Sequence, residues 1–285
     1  MGFLASLSPP ALYALVAVIG LLVGSFLNVV ILRLPVRLFH DWKCQCRELL
    51  DIGAMELEEE PAGIATGRSR CPKCRSSIAF YDNVPVLSWA VLRGRCRSCG
   101  QAIPIRYPVV ELATALLSVA VIALLGPTPE GLAGLVLTWA LIAATGIDLD
   151  HQLLPDQITL PLIWVGLIAN LFGLFTDLQS AVIGAMAGYL VLWSVFHLFR
   201  LITGKEGMGY GDFKLLAAIG AWFGWQVLPT VVLLASGVGA VLGLVLILLR
   251  RMGREVPIAF GPFLAAAGWL VLVAGDRVVD FWLVS

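Results

Sequence analysis

Residues 228–249 read LPTVVLLASGVGAVLGLVLILL, 22 residues without a charged side chain, closed by Arg250 and Arg251. About 20 apolar residues cross the hydrocarbon core of a bilayer as a helix, so this run reads as a transmembrane span. Seven more runs obey the same rule, at about 10–32, 107–125, 131–147, 158–175, 179–199, 213–225 and 258–275. The run at 213–225 is short and ends in Ala221-Trp222-Phe223-Gly224-Trp225, so it reads as a short helix or as half of a bent pair with 228–249. Composition agrees: of 285 residues, 59% are hydrophobic and 13% charged, with mean hydropathy +0.92. Soluble domains carry about 25% charged residues, which excludes a water-soluble globule. Disorder is excluded too, since it needs low hydrophobicity and high charge. Lys+Arg 19 against Asp+Glu 19 leaves no net charge to draw nucleic acid.

Charge distribution gives an orientation. No basic residue precedes the first span and Arg33 follows it directly, the reverse of a signal peptide. The first span therefore reads as a retained anchor with its N-terminus outside. Threading eight spans from there puts 33–106, 148–157, 200–212 and 250–257 in the cytosol. Twelve basic residues lie in 33–106; Arg200, Lys205, Lys214, Arg250, Arg251 and Arg254 add six, so 18 of 19 are inside and only Arg277 is outside. The positive-inside rule favours this orientation over its inverse.

The one long polar stretch, 34–105, contains all six cysteines. Cys71-Pro72-Lys73-Cys74 and Cys96-Arg97-Ser98-Cys99 are two CxxC knuckles separated by residues 75–95. Two thiolates from each complete a tetrahedral S4 set, the preferred shell of structural zinc. With four cysteines that shell is closed, so the metal has no catalytic role, but it supplies on the order of 10 kcal/mol of folding free energy to a small module. Paired disulfides are the alternative, disfavoured in the reducing cytosol. A redox CxxC would not need two copies. Cys44-Gln45-Cys46 reads as a free reduced pair rather than a metal pair, and Glu56, Glu58, Glu59 and Glu60 as a solvated loop. His40, His151 and His197 show no ligand spacing. The expected fold is an all-α polytopic membrane protein of about eight transmembrane helices with a small cytosolic zinc-ribbon-like insertion. Its expected division is a first transmembrane helix (1–33), the zinc-binding insertion (34–105) and a transmembrane core (106–285).

Few acids stand near the spans. Asp148 closes the third, in Thr145-Gly146-Ile147-Asp148-Leu149-Asp150-His151-Gln152-Leu153-Leu154-Pro155-Asp156, and Asp212 opens the sixth, in Gly207-Met208-Gly209-Tyr210-Gly211-Asp212-Phe213-Lys214. In this threading both lie at the cytosolic edge. Two carboxylates at one depth are what peptide hydrolysis by an aspartate pair needs: one takes a proton from the attacking water, the other donates to the carbonyl oxygen, and the pair shares one proton. Gly209 and Gly211 carry no side chain, so an extended substrate backbone can approach there. Taken singly, Asp212 and Asp156 also read as helix N-caps, and Asp148 or Asp150 as interfacial helix-end residues. Gly207-x-Gly209-x-Gly211 resembles a nucleotide-binding glycine pattern, but it follows an apolar span rather than a strand.

Taken together, these features resemble the bacterial type IV prepilin peptidases, GxGD intramembrane aspartyl proteases. The resemblance rests on Gly24-Ser25-Phe26-Leu27-Asn28-Val29-Val30, the two knuckles, Asp82-Asn83-Val84-Pro85-Val86-Leu87-Ser88-Trp89, Leu92-Arg93-Gly94-Arg95-Cys96 and Arg106-Tyr107-Pro108-Val109-Val110-Glu111. It continues through Asp148 to Asp156, Gly209 to Lys214 and Pro257-Ile258-Ala259-Phe260-Gly261-Pro262-Phe263-Leu264. It implies that Asp148 and Asp212 are the catalytic dyad, with Asp150 and then Asp156 as alternatives. It implies cleavage of the leader of prepilins and pseudopilins after a glycine at the cytosolic face of the bacterial inner membrane. It further implies N-methylation of the new N-terminal residue, commonly Phe, from S-adenosylmethionine, with Gly94 and Glu111 as cofactor-binding candidates in the insertion. No separate methyltransferase signature is present. Two other classes fit parts of the sequence: a proton-coupled transporter with a cytosolic zinc module, and a non-enzymatic assembly factor that docks a partner through that module. Transporters favour mid-membrane charges and internal repeats, whereas these aspartates sit at span ends.

Overall fold

The computed structural model describes residues 7–50, 60–64, 66, 69–205, 207–249 and 259–275. Arg68, Arg250, Arg251, Arg254, Arg277, Pro257, Ile258 and three acids of the loop (Glu56, Glu58 and Glu59) lie outside the described residues. The chain is mostly helical, and the described residues form no sheet. It divides into two units, Met1–Ala123 and Leu124–Ser285.

In the first unit, α1 (Pro9–Leu49) is a single 41-residue helix, about 60 Å long. It continues 16 residues beyond Arg33, carrying Pro35 within it. Hydropathy had marked where the apolar run ends rather than where the helix ends. A short helix α2 (Leu87–Val91) leads towards α3 (Arg106–Leu125). Gly20 and Gly24 of α1 press on α3: a Cβ at either would stand 2.6 Å from Ala115 Cα or 2.7 Å from Glu111 Cα. This GxxxG spacing permits a close helix crossing. Asn28 secures it by donating to the Tyr107 carbonyl at 3.1 Å.

The second unit holds α4 (Pro129–His151), α5 (Asp156–Leu171), α6 (Leu178–Thr203), α7 (Tyr210–Phe223), α8 (Leu228–Leu248) and α9 (Gly261–Ala274). Thr128 caps α4 by accepting the Gly131 N–H, and Asp177 caps α6 by accepting that of Ser180. The short α7 is the core: Phe213, Leu215, Leu216, Ala218, Ile219, Ala221 and Trp222 are fully buried. It meets α6 backbone to backbone, with Gly184 against the Gly220 carbonyl and Gly220 against that of Gly184. Each of the eight apolar runs contains one helix. Among the described residues, five helices are long and apolar enough to cross a membrane: Pro9–Leu49, Arg106–Leu125, Pro129–His151, Leu178–Thr203 and Trp225–Leu246.

Asn170 closes the far end of α7. Its amide donates to the Ala221 and Trp222 carbonyls at 2.9 and 2.8 Å, and its oxygen accepts the N–H groups of Phe175 and Thr176, both at 3.1 Å. Asn170→Ala leaves those buried backbone groups without these partners. A drop of about 2–3 kcal/mol is expected, read as a lower apparent unfolding temperature in detergent; an unchanged temperature would contradict this account.

Candidate catalytic and metal sites

The two knuckles are copies of one local geometry. In the first, the Cys71 N–H donates to the Ser76 carbonyl at 3.0 Å and the Arg75 N–H to the Cys71 carbonyl at 2.9 Å. In the second, Cys96 donates to Gln101 at 2.8 Å and Gly100 to Cys96 at 2.9 Å. Arg75 and Gly100 both take the left-handed turn, with φ of 55° and 68°. An isolated bridge closes each knuckle, Arg70 with Ser77 and Arg95 with Ala102. Folded this way, the four thiols converge, all sulfurs lying within 4.8 Å of one another. Cys71 Sγ is 3.7 Å from Cys99 Sγ. Two thiolates bound at 2.3 Å to one tetrahedral ion stand about 3.8 Å apart. The four cysteines can therefore hold a metal ion, and none of them is in a disulfide.

Their acidities fit the same reading. Hydrogen bonds from Ser76 draw Cys74 down to about 6, and the backbone of Cys99 and Ser98 lowers Cys96. The Gln101 backbone draws Cys99 down, but desolvation and the neighbouring thiols Cys74, Cys71 and Cys96 push it further up, to about 11. The first thiolates form readily and the last resists until a cation offsets their shared charge. Arg97, inside the second knuckle, grips Asp82 with Nε at 2.9 Å from Oδ2 and Nη2 at 2.5 Å from Oδ1, and lies over the Tyr81 ring. The Arg97 guanidinium holds the Asp82 carboxyl below the usual carboxylate range.

Cys44 and Cys46 lie on α1 and do not join the cluster. Residues two apart on a helix point to nearly opposite faces, so the pair cannot chelate as a unit; Cys44 Sγ instead rests 3.8 Å from His40 Nδ1. Glu60, the described member of the acidic loop, lies 3.8 Å from Arg37.

Gly94 and Glu111 both lie in the first unit, in separate settings. Gly94 has φ of 65° and packs on the Trp89 indole, where a Cβ would stand 2.9 Å from Cζ2. Glu111 is buried on α3. Its Oε2 accepts the Val86 N–H at 2.7 Å, and its carboxyl is also hydrogen-bonded to Ser25. Val86 sits at φ 59°, a conformation that a β-branched residue resists. Glu111 therefore holds a strained loop in place.

In the second unit, α4 ends when Gln152 turns left-handed and donates to the Asp148 carbonyl at 2.9 Å. The Asp148 side chain turns inward and is 5% exposed, while Asp150, two residues on, is exposed. Asp212 is 6% exposed. It is not an N-cap: α7 starts at Tyr210 with Gly209 as cap residue, placing Asp212 inside the first turn. Tyr210 and Phe213 stack on Phe196 of α6, with ring centres 5.2 and 5.7 Å away, and fix the start of α7. The two carboxyls are linked through Leu154, which abuts Gly211, the residue before Asp212, and lies beside Gly261, whose N–H donates to Asp148. Asp156 is committed elsewhere, to Lys214 Nζ at 2.5 Å, and its helix is preceded by Pro155 as cap residue.

Two contributors, Leu154 and Gly261, stand in the quoted motifs without a role that the sequence assigns. Leu154 packs where a Cβ on Gly211 would stand 2.5 Å from Leu154 Cβ, so Gly211 is required by packing within the chain; Gly209 is more open, its nearest neighbour Asp212 Oδ2 at 3.8 Å. Gly261 starts α9, and its N–H donates to Asp148 Oδ2 at 3.0 Å. A backbone N–H leaves no side-chain signature to find.

Two family models match the chain. The Bacterial Peptidase A24 N-terminal domain covers residues 18–125 and the Type IV leader peptidase family covers 135–244. The chain is 55% identical to the prepilin leader peptidase/N-methyltransferase of Aeromonas hydrophila over 96% of its own length and 94% of that protein. This chain belongs to the type IV leader peptidase family. Relatives of the same name in Stutzerimonas stutzeri and Pseudomonas aeruginosa are 54% and 52% identical, each over 99% of this chain and 96% and 97% of their own. No solved structure matches the chain. The four clustered cysteines, Gly94 and Glu111 fall inside the first matched segment, and Asp148 and Asp212 inside the leader peptidase segment; Gly261 lies beyond both. Membership in this peptidase family gives the transporter reading no support.

Proposed function

We propose that this protein is a bifunctional membrane enzyme that removes the leader of type IV prepilins and pseudopilins and N-methylates the residue so exposed. The observation that carries the reading is that Asp148 and Asp212, 64 residues apart in sequence, are two buried carboxyls of one unit, on either side of Leu154. One proton between them serves both halves of hydrolysis. A water oxygen bonds to the scissile carbonyl carbon as its proton passes to the ionised aspartate, and the protonated aspartate donates to the carbonyl oxygen. The diol then collapses: the leaving nitrogen takes a proton as the C–N bond breaks, and the second carboxyl recovers its own. Cleavage follows a glycine at the cytosolic face of the inner membrane, with the open Gly209 lining the approach of the substrate backbone and Gly211, packed on Leu154, holding the loop that presents Asp212. The basic residues in 33–106 support a cytosolic zinc module and an outside N-terminus.

Methyl transfer is assigned to the N-terminal segment, with S-adenosylmethionine as donor and Gly94 and Glu111 as the residues that shape its site. The ion in the Cys71, Cys74, Cys96 and Cys99 cluster is zinc, a structural element. The division into a first transmembrane helix (1–33), the insertion (34–105) and the catalytic core (106–285) follows these roles. Mass spectrometry of a prepilin incubated with membranes carrying the protein tests the reading. Loss of the leader is expected without methyl donor, and a further 14 Da (about one methyl for one hydrogen) with it. An intact precursor in both reactions would refute the assignment.

A further inference from the structure

We propose that Gly261 is a positioning residue that fixes which aspartate is the base: its N–H holds Asp148 as the carboxylate that deprotonates water and leaves Asp212 as the proton donor. This rests on the aspartyl-protease reading above and deepens it.

The first N–H groups of a helix have no partner within it and must find one elsewhere. At the start of α9 nearly all are accounted for. Pro262 has no N–H, and Phe263 and Leu264 both donate to the Phe260 carbonyl, at 3.1 and 3.2 Å. The N–H of Gly261 is aimed instead at Asp148 Oδ2, 3.0 Å away in a buried site and 113 residues distant in sequence. An N–H donor at a helix N-terminus stabilises negative charge on its acceptor. Asp212 receives less: the Gly209 backbone stands beside one carboxyl oxygen, but Oδ1 is buried and has no hydrogen-bond partner among the described residues. A carboxyl oxygen so placed is satisfied by carrying the shared proton and handing it to a substrate carbonyl. The two environments separate the roles of two chemically identical groups.

Glycine is required for this contact. A Cβ at 261 would stand 2.6 Å from Asp148 Oδ2 and 3.0 Å from Leu154 Cδ1. Leu154 also abuts Gly211, the residue before Asp212. One leucine therefore spaces the donor of Asp148 from the loop that presents Asp212.

The direct test exchanges the amide of residue 261 for an ester, by ligating a synthetic 261–285 segment that begins with glycolate onto residues 1–260. This removes the N–H and adds no atom beyond the oxygen replacing it. The single-turnover rate of leader cleavage at saturating prepilin is expected to fall about 10- to 100-fold. KM for the prepilin, and methyl transfer to a pilin already freed of its leader, should stay within about twofold. A wild-type cleavage rate, or a loss confined to KM, overturns the proposal. Gly261→Ala keeps the N–H but presses a methyl on Oδ2; it should show the same fall in rate at unchanged KM, and decides the matter if the ligated chain does not refold. Asp148→Asn run in parallel separates the two levels. If it still cleaves, the dyad reading fails; if it is inactive while the ester variant runs at full rate, only the role of Gly261 fails.

Discussion

Asp148→Asn and Asp212→Asn are each expected to reduce leader cleavage by about 10⁴-fold or more while leaving a folded, inserted protein. The magnitude follows from the way residues that act as a unit fail together: an amide neither accepts the water proton nor returns one to the leaving nitrogen. The fold tolerates the change. Asparagine is nearly isosteric, its oxygen can still accept the Gly261 N–H at position 148, and at 212 it puts no charge in a buried site. Methyl transfer to a pilin already freed of its leader should persist in both variants, which separates lost chemistry from lost structure. The other two acids give the contrast. Asp150→Asn alters an exposed side chain and should cleave at close to the wild-type rate. Asp156→Asn removes an exposed ion pair with Lys214, worth about 0–1 kcal/mol, and should cost stability rather than chemistry. Normal prepilin processing by either the 148 or the 212 variant, in a reconstituted assay, would remove the dyad. It would return the docking-factor alternative, which tolerates asparagine at both positions.

Loss of the metal is the second large effect. Cys71→Ser or Cys96→Ser is expected to take bound zinc from one per chain to none and to leave residues 69–102 open to proteases. The segment has little else to hold it: two isolated bridges, a 3₁₀ turn at Phe80–Asn83 and the five-residue α2. About 10 kcal/mol of metal binding exceeds what such a segment gains from packing. Methyl transfer should fall with it, since Gly94 sits two residues before Cys96 and its carbonyl accepts the Ile103 N–H at 2.7 Å. Cys44→Ser and Cys46→Ser lie on α1, outside the cluster, and should leave zinc content unchanged. Zinc retained in the Cys71 variant, measured by metal analysis, would contradict the four-thiolate site.

Side-chain chemistry was legible in the sequence and backbone chemistry was not. Apolar runs located the helices because a bilayer demands about 20 such residues whatever the tertiary contacts. The knuckles were legible because a metal fixes ligand spacing. Sequence placed Asp148 and Asp212 side by side only by inference, and it could not separate them from Asp150 and Asp156. That took burial, which turns Asp148 inward and Asp150 outward, and Lys214 of α7, which claims Asp156 at the start of α5. The helical setting of Cys44 and Cys46 was hidden because Arg33 and Pro35 suggest a break where α1 runs on to Leu49. Glu111 holding a strained Val86, and Gly261 donating to Asp148, involve main-chain N–H groups that every residue but proline carries.

The bond from Gly261 to Asp148 also sets an order in time. A ribosome feeding this chain into the membrane delivers both acids well before it delivers the amide that one of them needs. Until residue 261 emerges and its helix docks, the nascent protein holds two carboxyls without an assigned division of labour. On the proposed reading, full proteolytic rate would therefore be reached only once α9 has docked and Gly261 has met Asp148.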